Sequence, residues 1–261
     1  MIINLPKQEA KLLRDIVYFL KPDNNHQVWL VGGSIRDLLR GKDTCYGLDL
    51  TLSFNPFKAA RDYSRSTGSG FVVLDDTRHI VRVVQNADNG KVYTFDLSKF
   101  RADDIDGDLK ARDFTINAMA YNDNDGLVDI FGGIEDIEKK VIRCVGNPKE
   151  RFTEDALRLL RAIRFAAQLG YTIEKETYEA IAELAPSLKK ISAERIQVEL
   201  VKTITSNHPE MIRTAYELGL TKVFLPELDV CFETKQNNPH HCYTVGDHII
   251  KAMEEAKPDK C

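Results

Sequence analysis

At 261 residues, 43% hydrophobic and 29% charged, the chain is long enough to bury a sizeable core and to split into two or more units. No apolar run approaches the ~20 residues of a membrane span and no basic segment leads an apolar one at the N-terminus, so the expected location is the cytoplasm. A net charge of -4 excludes a uniformly basic nucleic-acid binder and confines any such contact to a local face, while five scattered cysteines without a CxxC pair point to neither a disulfide framework nor a cysteine-built zinc site.

In chain order, "QVWLVGG" is a β-favouring run ended by glycines, and "LDLTLSF" and "FVVLDD" alternate or run apolar. "HIVRVVQ" and "VYTFDLS" flank the turn signal "NADNG", which predicts an antiparallel hairpin. Residues 1–145 therefore read as a mixed sheet with helices. After "GNP" at 146–148 the character changes. "TEDALRLLRAIRFAAQLGY" and "ETYEAIAELAPSLKKISAERIQVELVKTI" have helical periodicity, Gly170 is a C-cap signal, and the second half is expected to be helical throughout. The last segment, "NPHHCYTVGDHIIKAMEEAKPDKC", reads as the opening of another helical unit.

Four blocks carry chemistry. In "LVGGSIRD" a strand runs into Gly32-Gly33, whose backbone amides can approach a ligand closely at a helix start, where amides and dipole attract phosphate; Arg36 follows one turn later. Alone, the segment is equally the turn of any α/β protein. Asp49 sits in "GLDLTL", where a strand would project a second acid at position 47 onto the same face to share a divalent metal, but residue 47 is glycine. Asp96 in "YTFDLSK" has the same apolar-acid-apolar setting. Either acid by itself is an ordinary solvated or hydrogen-bonded residue; two of them beside a phosphate turn point to a metal centre. In "DLKARDFTINAMAYN", Arg112, Asp113, Thr115 and Asn117 put four polar side chains into what reads as an apolar helical stretch, where each needs a partner if buried. That density suggests a site-lining segment as readily as a capped helix with a surface Arg-Asp pair.

The blocks "LVGGSIRDLLRG", "LDLTL", "ARDFTINAMAYN", "LVDIFGGIEDI", "EDALRLLRAIRFAAQLGY" and "ISAERIQVEL" stand in the order and spacing of the class II CCA-adding tRNA nucleotidyltransferase and bacterial poly(A) polymerase family, which the chain resembles over about residues 20 to 205. The resemblance implies an α+β architecture. A mixed-sheet nucleotidyltransferase head of the DNA polymerase beta superfamily would occupy 1–145, an all-α neck binding nucleotide and tRNA 146–206, and a helical body with the start of an HD-like domain 207–261. It implies addition of C and A to tRNA 3′ ends from CTP and ATP with magnesium, without a covalent enzyme intermediate. The same motifs serve poly(A) polymerases and enzymes that add only CC or only A, and no obligate protein partner is evident.

Residue by residue, Gly33 and Arg36 match triphosphate contacts, Asp49 a magnesium ligand joined by Asp96, and Arg112 the nucleotide-contacting arginine of the second motif. Asp155 and Arg158 in "EDALR" match the pair that imitates Watson-Crick pairing with cytosine or adenine, their i, i+3 spacing placing them on one helix face. Arg161 and Arg164 continue that three-residue step, drifting ~60° each time, and match nucleotide or triphosphate contacts; a solvated basic stripe is the competing reading.

The departures bear on activity. The family carries an acid where this chain has Gly47, and a polar pair where it has Ala111-Arg112. One acid short, metal-assisted attack by an RNA 3′ hydroxyl is expected to be impaired, so a nucleotide- and tRNA-binding protein that no longer catalyses is the alternative. Asp43 would substitute only if its loop folded back. His240, His241 and His248 invite a metal reading, but the His-Asp dipeptide that defines the HD site would lie beyond Cys261, and they stay unassigned.

Overall fold

Four apolar residues buried along their whole length, Val28–Val31 (β1), stand near the middle of the sheet that organises the N-terminal half. The computed structural model describes residues 7–21, 23, 25–42, 47–87, 90–236 and 243–256. It divides into two compact units, Met1–Ile137 and Glu138–Cys261. Asp43, His240 and His241 lie outside the described residues.

The first unit runs α1 (Lys7–Leu20), β1, α2 (Gly33–Leu39), β2 (Gly47–Leu52), α3 (Pro56–Thr67), β3 (Gly70–Asp75), β4 (Ile80–Asn86), β5 (Val92–Lys99), α4 (Ile105–Lys110), β6 (Ala120–Asn122) and β7 (Gly126–Val128), with α5 (Gly133–Lys139) at its end. The seven strands pair in the order β3-β4-β5-β2-β1-β6-β7, antiparallel throughout except for the parallel pair β2-β5. The predicted hairpin is β4-β5.

Strand alternation sorts the side chains. Leu48, Leu50, Leu52, Val81, Val83, Tyr93, Phe95 and Leu97 are buried on one face, while Asp49 and Asp96 point to the other. A second cluster, Trp29, Val31, Phe100, Leu109 and Ala120, packs along the acid-bearing face beside them. Arg82, Asp96, Asp49 and Val31 are successive register partners across β4, β5, β2 and β1, so they form one row.

Residues 112–117 are not the helix that their apolar spacing suggested. The helix α4 stops at Lys110, a turn carries Arg112 and Asp113, and only Thr115–Asn117 closes a 3-10 turn before β6. Two of the polar side chains take distant partners, Thr115 on Asp136 and Asn117 on Arg36, while Asp113 accepts from the Phe114 amide and so offers the backbone a bond outside a helix; Arg112 meets Asp108 one turn back.

The second unit contains β8 (Val141–Ile142), α6 (Pro148–Glu154), α7 (Leu157–Leu169), β9 (Thr172–Ile173), α8 (Lys175–Leu184), α9 (Ala193–Ile204), α10 (Met211–Glu217), α11 (Thr221–Phe224), α12 (Pro226–Glu233) and α13 (Val245–Glu255). It is helical except for the parallel pair β8-β9, two β-branched dipeptides too short to register as strands in the sequence. Gly170 ends α7 in the left-handed conformation, with φ 66°, as its position predicted. Among the described residues, no helix is long and apolar enough to cross a membrane.

Candidate active site

The chain leaves β1 through Gly32, whose φ of 71° is open to glycine and strained for other residues. A Cβ added there would stand 3.2 Å from the Asp49 Oδ2 and 3.4 Å from Arg112 Nη1, and one on Gly33 3.3 Å from Arg36 Nη2. The two glycines thus let the backbone pass directly over the carboxylate and two guanidinium groups. The next residue fixes the strand beneath: the Ser34 hydroxyl donates to the Gly47 carbonyl at 3.1 Å and accepts from the Asp49 amide at 3.2 Å.

Arg36 is buried. Its Nη1 donates to Asn117 Oδ1 at 2.7 Å and its Nε to Asp37 Oδ1 at 2.9 Å. Arg112 is buried as well, with Nε and Nη2 on Asp108 Oδ2 at 3.1 and 2.8 Å. Both guanidiniums are therefore orientated before any ligand arrives.

Asp49 differs from its neighbours. Among the described residues no side chain closes an ion pair on it, whereas Arg36, Arg112 and Arg82 each have a carboxylate of their own. Burial pushes its carboxyl up to about 6, the Asp96 charge adds to the rise, and Arg112, Arg36 and Arg82 oppose it. Asp96, its register partner, is clamped by Arg82 with Nε to Oδ1 at 2.7 Å and Nη2 to Oδ2 at 2.8 Å.

Two carboxylates side by side, one of them half-buried and outside any ion pair among the described residues, fit a magnesium ion that keeps water and phosphate oxygens as its remaining ligands. Gly47 offers no side-chain ligand atom, and its carbonyl is engaged by Ser34. Among the described residues, no group of three His, Cys, Asp or Glu side chains converges, His248 on α13 included; Asp49 and Asp96 are the two carboxylates that the strand register sets side by side.

In the second unit the expected base-reading pair does not share a helix. Asp155 lies between α6 and α7 with extended backbone, φ -147° and ψ 102°, and its Oδ1 accepts from the Leu157 amide. Arg158, on the first turn of α7, donates from Nη1 to the Arg151 carbonyl at 3.1 Å and to Glu154 Oε2 at 2.9 Å. Arg161 is half-buried, its guanidinium 5.3 Å from the Phe165 ring centre. Arg164 is buried, 3.0 Å from Glu199 on α9 and 4.1 Å from the Phe165 ring centre.

Sequence reasoning missed Arg82, Ser34 and Arg195. The hairpin pairs Asn86 with Val92, which sets Arg82 opposite Asp96; counting symmetrically about "NADNG" would have set it opposite Thr94, so the pair is not legible from the turn segment alone. Nothing local marks Arg195, whose Nη2 reaches Asp155 Oδ2 at 3.0 Å from α9.

Residues 28–143 match a family described as the poly A polymerase head domain, and residues 170–232 one described as the probable RNA and SrmB-binding site of polymerase A. The CCA-adding enzyme of Leuconostoc mesenteroides is 38% identical over 193 residues, 70% of this chain and 47% of that protein. That of Enterococcus faecalis is 38% identical over 204 residues, 76% and 49% of the two chains. The solved Bacillus stearothermophilus CCA-adding enzyme in complex with CTP aligns at a TM-score of 0.72 and 30% identity, covering 84% of this chain and 54% of that one. The Thermotoga maritima CCA-adding enzyme complexed with tRNA-CCA aligns at 0.71 and 27% identity, over 90% and 55%. The chain spans about half the length of the curated relatives it matches.

Proposed function

The chain belongs to the family of class II CCA-adding tRNA nucleotidyltransferases and bacterial poly(A) polymerases, with its polymerase-beta-like head, and on that premise we propose that it is a template-independent nucleotidyltransferase that adds C and A to tRNA 3′ ends from CTP and ATP in the cytoplasm. The observation that carries this reading is the passage of the Gly32-Gly33 turn over the Asp49 carboxylate and the Arg36 and Arg112 guanidiniums.

Gly33, Arg36 and Arg112 would bind and orientate the triphosphate, their groups already held by Asp37, Asn117 and Asp108. Asp49 and Asp96 would hold magnesium, which when bound supplies charge neutralisation at the transferring phosphoryl group. The 3′ hydroxyl oxygen of the RNA forms a bond to the α-phosphorus as the α–β phosphoanhydride bond breaks, and pyrophosphate leaves. Asp155 and Arg158 would present the hydrogen-bonding edge for cytosine or adenine, with Arg161 toward the nucleotide and Arg164 supporting that helix through Glu199. Residues 1–145 would act as head, 146–206 as neck and 207–261 as body.

Gly47 favours a second reading, a nucleotide- and tRNA-binding protein with little turnover, because the protein's share of the metal centre is one carboxylate short of the family's pattern. One experiment separates the two: incubation with tRNA lacking CCA, CTP, ATP and magnesium, with products resolved to one nucleotide. Added C and A support the enzyme; bound nucleotide with no extension supports the second reading.

A further inference from the structure

The acid that replaces the missing partner of Asp49 is itself occupied. Arg82 and Asp96 are register partners on β4 and β5, and the guanidinium fork meets both carboxylate oxygens, at 2.7 and 2.8 Å. Such bidentate pairs leave a carboxylate little capacity to ligate a second cation. Arg82 also carries its positive charge along the row toward Asp49, where it opposes the entry of a divalent ion. The pair can open, because its side chains are 40% and 26% exposed and water can solvate either charge once they part.

We infer that Arg82 is a positioning residue that withholds Asp96 from divalent cations in the nucleotide-free protein, so that Asp49 alone anchors metal until the Arg82 guanidinium is drawn away. A triphosphate is the chemistry suited to draw it, since phosphate oxygens accept the same fork that carboxylate does. The inference rests on the proposed nucleotidyltransferase reading for the location of the metal centre, but its test does not depend on turnover.

The test is Mn2+ binding to the nucleotide-free chain, followed by calorimetry or by the spectrum of the free ion. Arg82→Gln should tighten binding by about tenfold or more, because it frees one carboxylate and removes one positive charge. Arg82→Gln combined with Asp96→Asn should return to the unaltered chain's affinity. Asp96→Asn alone removes a negative charge beside Asp49 and leaves Arg82 unpaired, so it should weaken binding or leave it unchanged and not tighten it, an outcome readable even if Arg82→Gln folds poorly; thermal melts report the fold of each variant. Unchanged affinity in a folded Arg82→Gln, a gain that survives Asp96→Asn, or tighter binding in Asp96→Asn alone would each overturn the inference. Nucleotide incorporation measured in parallel keeps the two ideas apart. A chain that extends no tRNA but binds Mn2+ in this pattern loses the transferase reading and keeps the role of Arg82.

Discussion

Ser34 holds Asp49 by the backbone: the hydroxyl accepts from the Asp49 amide while donating to the Gly47 carbonyl, tying the first turn of α2 to the strand that bears the acid. The Gly32-Gly33 turn and the strand that bears Asp49 are thereby one unit. Ser34→Ala should cost about 1 kcal/mol in denaturant unfolding, the net value of a hydrogen bond or two in a buried setting. It should lower magnesium-dependent incorporation more than it weakens CTP binding. Equal losses in the two would mean that the hydroxyl supports the fold without positioning the acid.

Gly47→Asp should restore the acid pair. A Cβ there meets only Thr94 Oγ1, at 3.4 Å, in ordinary contact, so the substitution fits, and strand alternation puts the new carboxylate on the Asp49 face. Magnesium-dependent incorporation should rise about a hundredfold or more, with nucleotide affinity changing far less. Single-turnover assays check it. A parent chain already as fast as the variant would show that Asp96 or another group completes the centre.

Arg158→Ala should reduce discrimination for CTP and ATP over UTP and GTP by about 1–3 kcal/mol, the worth of a lost bidentate readout. Competition assays with mixed triphosphates measure it. Because Arg195 reaches Asp155 at 3.0 Å, Arg195→Ala should lower the same selectivity while leaving Arg158 in place. An unaltered preference in Arg158→Ala would remove the base-reading role.

Asp49 makes the metal-free protein sensitive to pH in a defined direction. Its carboxyl lies near 6 when folded against 3.8 for the ordinary group, so between these values the folded state binds the extra proton. Stability should therefore fall as pH rises from about 4 to above 6, by up to about 3 kcal/mol. Asp49→Asn should abolish that part of the fall and be the more stable variant at pH 8 in the presence of a chelator. Urea unfolding at pH 4, 5, 6 and 8 gives the comparison, and parallel curves for the two proteins would refute it.

What the sequence determined by itself is what short-range physics controls. Alternation wrote β2, β4 and β5, the five-residue "NADNG" segment wrote their hairpin connection, paired glycines ended β1, and Gly170 closed α7. The resemblance of the ordered motifs, rather than any spacing, was what joined Gly33, Arg36, Asp49 and Arg112 as candidates for one site, with Asp96 added from its matching strand setting. Tertiary structure decided the rest. The parallel pairing of β2 with β5 sets Asp49 beside Asp96, and no local signal specifies the register of strands so distant in sequence; a slip of one residue would have turned one acid into the core. Long-range partners also overrode local pattern. Bonds from Thr115 to Asp136 and from Arg36 to Asn117 hold the stretch after Arg112 out of a helix, and Arg195 reaches Asp155 from α9 while the neighbouring Leu157 amide caps it. Helical spacing reads only the neighbours along the chain, whereas a buried polar group takes whichever partner the fold brings to it.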